Sequence, residues 1–397
     1  MDNIMKFAII GDRGIPARYS GFSTLIEQMA TRMVNEYGID VTIYCRSNYY
    51  EDRPKYYNGV RCVYLPAPGG KSLESIIHSN LSILHATFCS YDVVLVLDPG
   101  NGPFVLPLRI RGFPILMHTD GMGWKRQKWS PFQQKYYKWS EKITAWFSHW
   151  LITDSKAMQQ YYVDEYQAES SFIPYAGEVG DGLDDSILRE HGLEKNAYYL
   201  CCARIEPDNN IDVVIREYRL SNSDKPLIVV GDARYDTAYG RAIAAENDES
   251  VRCIGGVYEK DKLNALFAHS YAYLHGHEVG GTNPSLLNAM HRSAAPVAMD
   301  VVFHREVMTD EGLFFSKEPN QLASIIQNLE QDESAVTRLR ALAKQRSDTY
   351  YRWDAVVDGY VKVISVLKDS YKDKQALKNR LVQEVYQPLE FYNKAEQ

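Results

Sequence analysis

Strand-length apolar runs alternate with helical repeats along nearly the whole sequence, which predicts an α/β fold. A single break between Ile173 and Ala197 interrupts the alternation with Gly177, Gly180, Gly182 and a run of acids. On each side of that break, one strand leads into a glycine-rich loop and then a helix. These three observations predict two Rossmann-like domains, 1–175 and 176–350, and a polar helical tail, 351–397, long enough to pack back on the first domain. Two such sheets facing across a cleft offer their carboxyl edges to a ligand, the usual place for one in doubly wound folds.

The first half opens on a strand, Lys6-Phe7-Ala8-Ile9-Ile10. Gly11, Gly14 and Gly21 punctuate the loop after it, and Phe22, Leu25, Ile26, Met29 and Met33 then recur at helical spacing, predicting a helix over 22–36. The glycine offsets are not those of the dinucleotide fingerprint, so a nicotinamide-dependent dehydrogenase is disfavoured. Arg13 and Arg18 flank the glycines and favour an anionic ligand over a plain first loop. Further strands are predicted at 40–45, 60–65, 93–97, 114–118 and 150–153, and helices at 72–88, 103–111, 131–148 and 155–164. Two strand ends carry polar loops, Asp98-Pro99-Gly100-Asn101-Gly102 and His118-Thr119-Asp120-Gly121. Asp120 is suited to accept a hydroxyl proton or orient a sugar hydroxyl, and Asp-Gly is also ordinary turn chemistry.

Between Trp124 and Trp150 the composition changes. Lys125, Arg126, Lys128, Lys135, Lys138 and Lys142 interleave with nine aromatic residues. Positions 132, 136, 139, 143, 147 and 150 form an apolar helical stripe, which is expected to face the core. The lysines around it make a basic rim suited to anionic lipid headgroups or a lipid-linked diphosphate.

In the second half, strands are predicted near 198–202, 226–230, 251–254, 271–275, 296–299 and 313–315. Helices are predicted at 210–219, 236–245, 259–268, 284–292, 304–309, 319–330 and 333–348. Arg204 follows the first of these strands, placed either to clamp a diphosphate bidentately or to pair with Glu206. The most informative stretch is 271–290: an apolar run ends in His275-Gly276-His277-Glu278, opens into Gly280-Gly281, and restarts as a helix at Thr282-Asn283-Pro284-Ser285. Thr282 or Asn283 suits the cap of that helix and Pro284 its first position. Two glycines before a helix N-terminus admit an anion close to the backbone, a phosphate site made without lysine. An ordinary strand–turn–helix junction shares part of the pattern.

Composition bounds the rest. Residues 1–170 hold 18 Lys and Arg against 16 Asp and Glu, the remainder 26 against 35, and the net charge is −7. The acidic second half argues against general nucleic-acid binding. Six cysteines lack metal spacing and read as buried thiols of a reducing compartment, and His275 and His277 have no matching metal ligands. With no signal peptide and no apolar run of spanning length, the expectation is a cytoplasmic protein.

Four blocks resemble the GT-B glycosyltransferases, specifically the rhamnosyltransferase-like branch of glycosyltransferase family 4. They are Gly11 to Tyr19; Asp120-Gly121 with Trp124-Lys125-Arg126; Arg204-Ile205-Glu206-Pro207; and His275-Gly276-His277 with Gly280 to Leu286. The resemblance implies a retaining enzyme that needs no metal or other cofactor. It would move a hexose or deoxyhexose from a nucleotide diphosphate sugar to a saccharide, such as an undecaprenyl-diphosphate-linked one, in surface polysaccharide synthesis at the inner membrane face. The donor would meet His277, Glu278, Gly280, Gly281, Thr282, Asn283, Ser285 and Asn288. Arg204 would stabilise the departing diphosphate and Asp120 position the acceptor hydroxyl. Arg13, Gly14, Arg18, Gly21, His118, Trp124, Lys125 and Arg126 would lie on the acceptor side. Relatives carry glutamate at the positions of Ser23, Gly123 and Asn288, and Glu278 is one candidate replacement for the last. These departures also fit a catalytically silent, nucleotide-sugar-binding scaffold and, less well, a sugar-nucleotide epimerase.

Overall fold

The computed structural model describes residues 4–17, 21–70, 73–119, 121–127, 129–177, 180, 182–233 and 236–383. Two of the predicted site residues, Arg18 and Asp120, lie outside the described residues. The chain divides into two compact units. Unit 1 comprises residues 1–124, 131–174 and 353–397, and unit 2 comprises 125–130 and 175–352. Each carries its own α/β sheet, as the alternating pattern predicts.

Unit 1 contains β1 (Lys6–Ile10), β2 (Asp40–Arg46), β3 (Tyr56–Tyr57), β4 (Val60–Leu65), β5 (Val93–Leu97), β6 (Ile115–His118), β7 (Trp150–Thr153) and β8 (Ser170–Phe172). They lie in the order β3-β4-β2-β1-β5-β6-β7-β8, parallel except for the antiparallel β3–β4 pair. Strands β5, β6 and β7 are buried along their whole length, which is why they read as unbroken apolar runs. Unit 2 contains β9 (Tyr199–Cys202), β10 (Leu227–Val230), β11 (Val251–Gly255), β12 (Ala272–His275), β13 (Pro296–Met299) and β14 (Leu313–Phe315). Their order is β11-β10-β9-β12-β13-β14, every pairing parallel. Strand order reverses between β1 and β5 in unit 1 and between β9 and β12 in unit 2. Each reversal leaves a crevice at the carboxyl edge of its own sheet.

Three expectations need correction. The helix predicted over 103–111 is a 3₁₀ turn, Pro99–Phe104, followed by the short helix Leu106–Arg111. Asp98, at φ 70°, caps that turn by accepting from the Gly100 N–H at 2.7 Å, so the chain tightens before the α-helix starts. The tail is helical and packs within unit 1 as expected, but its first helix, Trp353–Ser370, is not polar: it buries Val356, Val357, Tyr360, Val363, Ile364 and Leu367, and Lys374–Leu381 follows it.

The third correction concerns the helix Pro131–Phe147. Its expected apolar stripe faces the core only in part: Phe132 is 80% exposed and Trp139 52%, Tyr136, Ile143 and Phe147 are half-buried and Trp150, beyond the helix, is buried, while Ser140, Glu141 and Thr144 are buried beside them. The reason lies in the 3₁₀ turn beneath it, whose carbonyls need donors. Ser140 Oγ and Thr144 Oγ1 donate to Pro99 O at 2.7 and 3.0 Å, and the Tyr136 hydroxyl donates to Gly100 O at 2.8 Å. Hydrogen-bond demand, not apolar periodicity, selects the buried face.

Candidate functional site

The crevice between β9 and β12 gathers most of the predicted donor-side residues. Arg204 lies just beyond β9, and Asn209 Nδ2 holds its carbonyl at 2.7 Å. Its ion pair to Glu206 is long, 3.9 Å. Beyond β12, Asn210 Nδ2 donates to Gly276 O at 2.9 Å, and the Glu278 N–H donates to Asp208 O at 3.0 Å. These bonds tie the loops after the two strands together. Gly276 is required by the closeness of that approach: a Cβ there would sit 2.5 Å from Asn209 O.

Gly280 adopts φ +154°, a conformation that residues with a side chain rarely take, and a Cβ placed on it would meet nothing within 4 Å, so the loop is open there. The helix Pro284–His291 starts behind it, with Asn283 as its cap. Asn283 Oδ1 accepts from the Ser285 N–H at 3.1 Å and the Ser285 hydroxyl at 2.8 Å. Of the two candidate caps, Asn283 is therefore the one used, while Thr282 is buried beside it. Asn288 stands half-buried on the second turn. The N-terminus presents backbone N–H groups and partial positive charge, the chemistry that receives an anion.

Three imidazoles cluster at this edge, two stacked and one edge-on. The His275 and His277 rings lie 4.3 Å apart at 13°, and His304 meets His275 at 4.6 Å. His275 Nδ1 shares a 2.8 Å hydrogen bond with the Tyr273 hydroxyl, and His304 Nδ1 shares one of 2.7 Å with Met299 O. Burial lowers the pKa of all three, His304 to about 4, and the nearby rings add to the effect on His275 and His277. Arg204 and Arg126 push His277 down further, so both guanidinium groups bear on this imidazole. Lys125 and Arg126, expected on the acceptor side, belong to unit 2, where Asp208 Oδ1 accepts from the Gln127 N–H at 3.0 Å.

Sequence reasoning missed Lys317, Asp208, Asn210, Tyr273 and His304. Lys317 Nζ pairs with Glu278 Oε2 at 2.5 Å, and Asn210 Nδ2 approaches the same oxygen at 3.4 Å. Glu278 is thus held by a cation instead of standing free on the loop. Lys317 follows β14 by two residues, and Asp208 follows β9 by six. A scan of every strand's carboxyl end for charged residues would have found both.

The unit 1 crevice between β1 and β5 holds Arg13, Gly14 and Asp12. Gly14, at φ +112°, packs where a Cβ would lie 2.5 Å from Cys45 Sγ. Asp12 Oδ2 accepts from the Ser23 hydroxyl at 2.5 Å and the Gly14 N–H at 3.3 Å. Ser23, where the resemblance implies glutamate, therefore has a carboxylate against it, supplied by the loop. The Arg13 guanidinium lies 5.6 Å from the Tyr49 ring centre. Gly21 starts the helix Gly21–Tyr37, and buried His118 ends β6 with Phe22 edge-on at 5.1 Å. Trp124 Nε1 donates to the Tyr161 hydroxyl at 3.0 Å. Among the described residues, no group of three or more His, Cys, Asp or Glu is placed to hold a metal, and no helix is long and apolar enough to cross a membrane.

Residues 4–178 match the model of a domain of unknown function, DUF1972, and residues 184–346 match that of glycosyl transferases group 1. No curated protein matches the sequence. Sucrose-phosphate synthase from Thermosynechococcus elongatus superposes with a TM-score of 0.78 at 16% identity, covering 92% of this chain and 100% of that one. HepE from Anabaena, solved with UDP, gives 0.70 at 13% identity over 91% of this chain and 100% of its own. A glycosyltransferase from Rickettsia africae gives 0.68 at 11% over 92% and 99%. The second half of this chain thus carries a glycosyl transferases group 1 domain, and the chain shares the GT-B fold of these solved structures over most of its length.

Proposed function

We propose that this enzyme transfers a hexose or deoxyhexose, rhamnose-like, from a nucleotide diphosphate sugar to a saccharide, with retention of configuration. The observation that carries the reading is the β9–β12 crevice, where Arg204 and a capped helix N-terminus behind Gly280-Gly281 serve one strand reversal. HepE solved with UDP-glucose and with UDP and glucose supports a nucleotide sugar as donor. Residues 176–350 form the donor domain in this reading, and 1–175 with the tail 351–397 the acceptor side.

The chemistry follows from where charge develops. As the bond between the sugar and the diphosphate breaks, negative charge grows on the leaving phosphate. Arg204 and the backbone amides of Gly281 to Ser285 stabilise it without a metal, and the helix dipole adds to the effect. Neutral His277 donates or accepts one hydrogen bond and adds no cation. Glu278, fixed by Lys317, accepts from donor hydroxyls, and Asn288 bonds a ribose or sugar hydroxyl. The donor's own phosphate takes the acceptor proton while Asp120 orients the acceptor hydroxyl. Arg13, Gly14, Arg18, Gly21, His118 and Trp124 serve the acceptor, a lipid-linked saccharide of surface polysaccharide synthesis at the inner membrane face.

Arg204→Ala tests the diphosphate assignment. A donor at ~100 times its Kd stabilises the folded chain by about 2.7 kcal/mol, a shift readily seen on melting. The unaltered enzyme is expected to select one member of a panel of dTDP-rhamnose, UDP-glucose, UDP-galactose, UDP-N-acetylglucosamine and GDP-mannose, and Arg204→Ala to lose that shift together with transfer. Full donor affinity and full transfer in the variant would refute the role. Asn288 favours a second reading, a silent scaffold, because an amide brings no negative charge to a developing sugar cation. Tight donor binding with no turnover would identify it.

A further inference from the structure

The face that the Pro131–Phe147 helix turns outward is left exposed by the described residues of its unit. Phe132, Trp139 and Trp146 recur at seven-residue intervals and are 80%, 52% and 57% exposed. Exposed Lys135 and Lys142 lie between them. At 3.6 residues per turn, these five positions fall within an arc of about 80° along roughly 21 Å of helix. Lys142 Nζ stands 4.7 Å from the Trp146 ring centre. The helix has one acid, Glu141, and it faces inward at 1% exposure. Arg109 Nη1 donates to Phe147 O at 2.7 Å, which brings the helix Leu106–Arg111, with Ile110 78% exposed and Arg111 exposed, to the far end of the stripe.

We infer that this face docks on an anionic phospholipid surface. Large aromatic side chains aligned on one exposed face are a binding surface and not scattered exposure. Their alternation with lysines matches the two layers of a bilayer interface. Tryptophan and phenylalanine lodge at the boundary of headgroups and acyl chains, while lysines reach lipid phosphates. The charge is locally opposite to that of the chain, which is −7 overall, so attraction is confined to this face. A second copy of the chain is the poorer occupant, because a two-fold contact through this stripe sets lysine against lysine. The surface stands independently of the transfer chemistry.

The experiment is co-sedimentation of the full chain with phosphatidylcholine vesicles and with vesicles containing 30% phosphatidylglycerol. Binding is expected to the anionic vesicles, with tryptophan fluorescence quenched by brominated lipid, and to weaken as salt rises. Lys135→Gln with Lys142→Gln removes two surface cations and is expected to weaken binding ~30-fold. Phe132→Ser with Trp139→Ser and Trp146→Ser is expected to abolish it while leaving the melting temperature nearly unchanged, since all three side chains are exposed. No binding of the unaltered chain to anionic vesicles overturns the proposal. So does equal binding by both variants, or concentration-dependent dimerisation that the aromatic substitutions remove.

Discussion

Glu141→Gln probes the buried face of the same helix, and its effect on stability is expected to depend on pH. Glu141 Oε2 accepts from the Tyr161 hydroxyl at 2.8 Å and the Tyr166 hydroxyl at 3.0 Å. Burial nevertheless dominates and pushes its pKa up from the ordinary 4.5 to about 7, against the pull of the two tyrosines and Lys138. The folded chain therefore holds a proton that the unfolded chain has lost between pH 4.5 and 7. Stability falls as pH rises through that window, and the penalty is complete above it. At 1.36 kcal/mol per pKa unit, the charged carboxylate costs about 3 kcal/mol at pH 8 and almost nothing at pH 4.5. Glutamine keeps the carbonyl acceptor for both tyrosines and carries no charge. Relative to the parent, the variant should gain about 3 kcal/mol between pH 5 and pH 8, read as a growing difference in urea midpoint for the transition of unit 1. A difference independent of pH would refute the reasoning, as would a variant less stable than the parent at pH 8.

Two substitutions bear on the unit 2 crevice. Gly276→Ala forces a methyl group against Asn209 O and Asn210 O, at 2.5 and 3.2 Å, so the loop must shift; a loss of about 1–3 kcal/mol on melting is expected together with loss of the donor-induced shift, and an unchanged donor shift would show that the close approach is dispensable. Lys317→Met removes a half-exposed partner of Glu278; such pairs contribute about 0–1 kcal/mol, so melting should barely move while donor affinity changes, and equal donor affinity would mean that Glu278 needs no fixing.

How far the sequence discloses this molecule depends on which force decides each feature. Strands β5, β6 and β7 are legible because burial on both faces leaves only apolar residues. The capped turn at Asn283 is legible because capping is local: the donors it satisfies lie two residues away. Edge strand β8 (Ser170–Phe172) escapes, since two serines and one aromatic leave no apolar run. Lys317 and Asp208 escape for a different reason: their partners Glu278 and Gln127 stand 39 and 81 residues away in the chain, and nothing near either residue names its partner.

The Pro131–Phe147 helix is the sharpest case, because the periodicity there is real and points the wrong way. Its large aromatics mark one face and its small hydroxyl residues another, and the usual rule sends the aromatics inward. The rule fails because the surface beneath is a 3₁₀ turn with carbonyls facing up. An unmet buried carbonyl costs about 1–3 kcal/mol, comparable to what one exposed aromatic forgoes. Ser140, Thr144 and Tyr136 supply three donors to two such carbonyls at once, so the hydroxyl face wins. Phe132, Trp139 and Trp146 are left exposed, while Tyr136 turns in with the hydroxyl residues. One register of the helix thus both completes the fold of unit 1 and exposes the surface assigned to lipid.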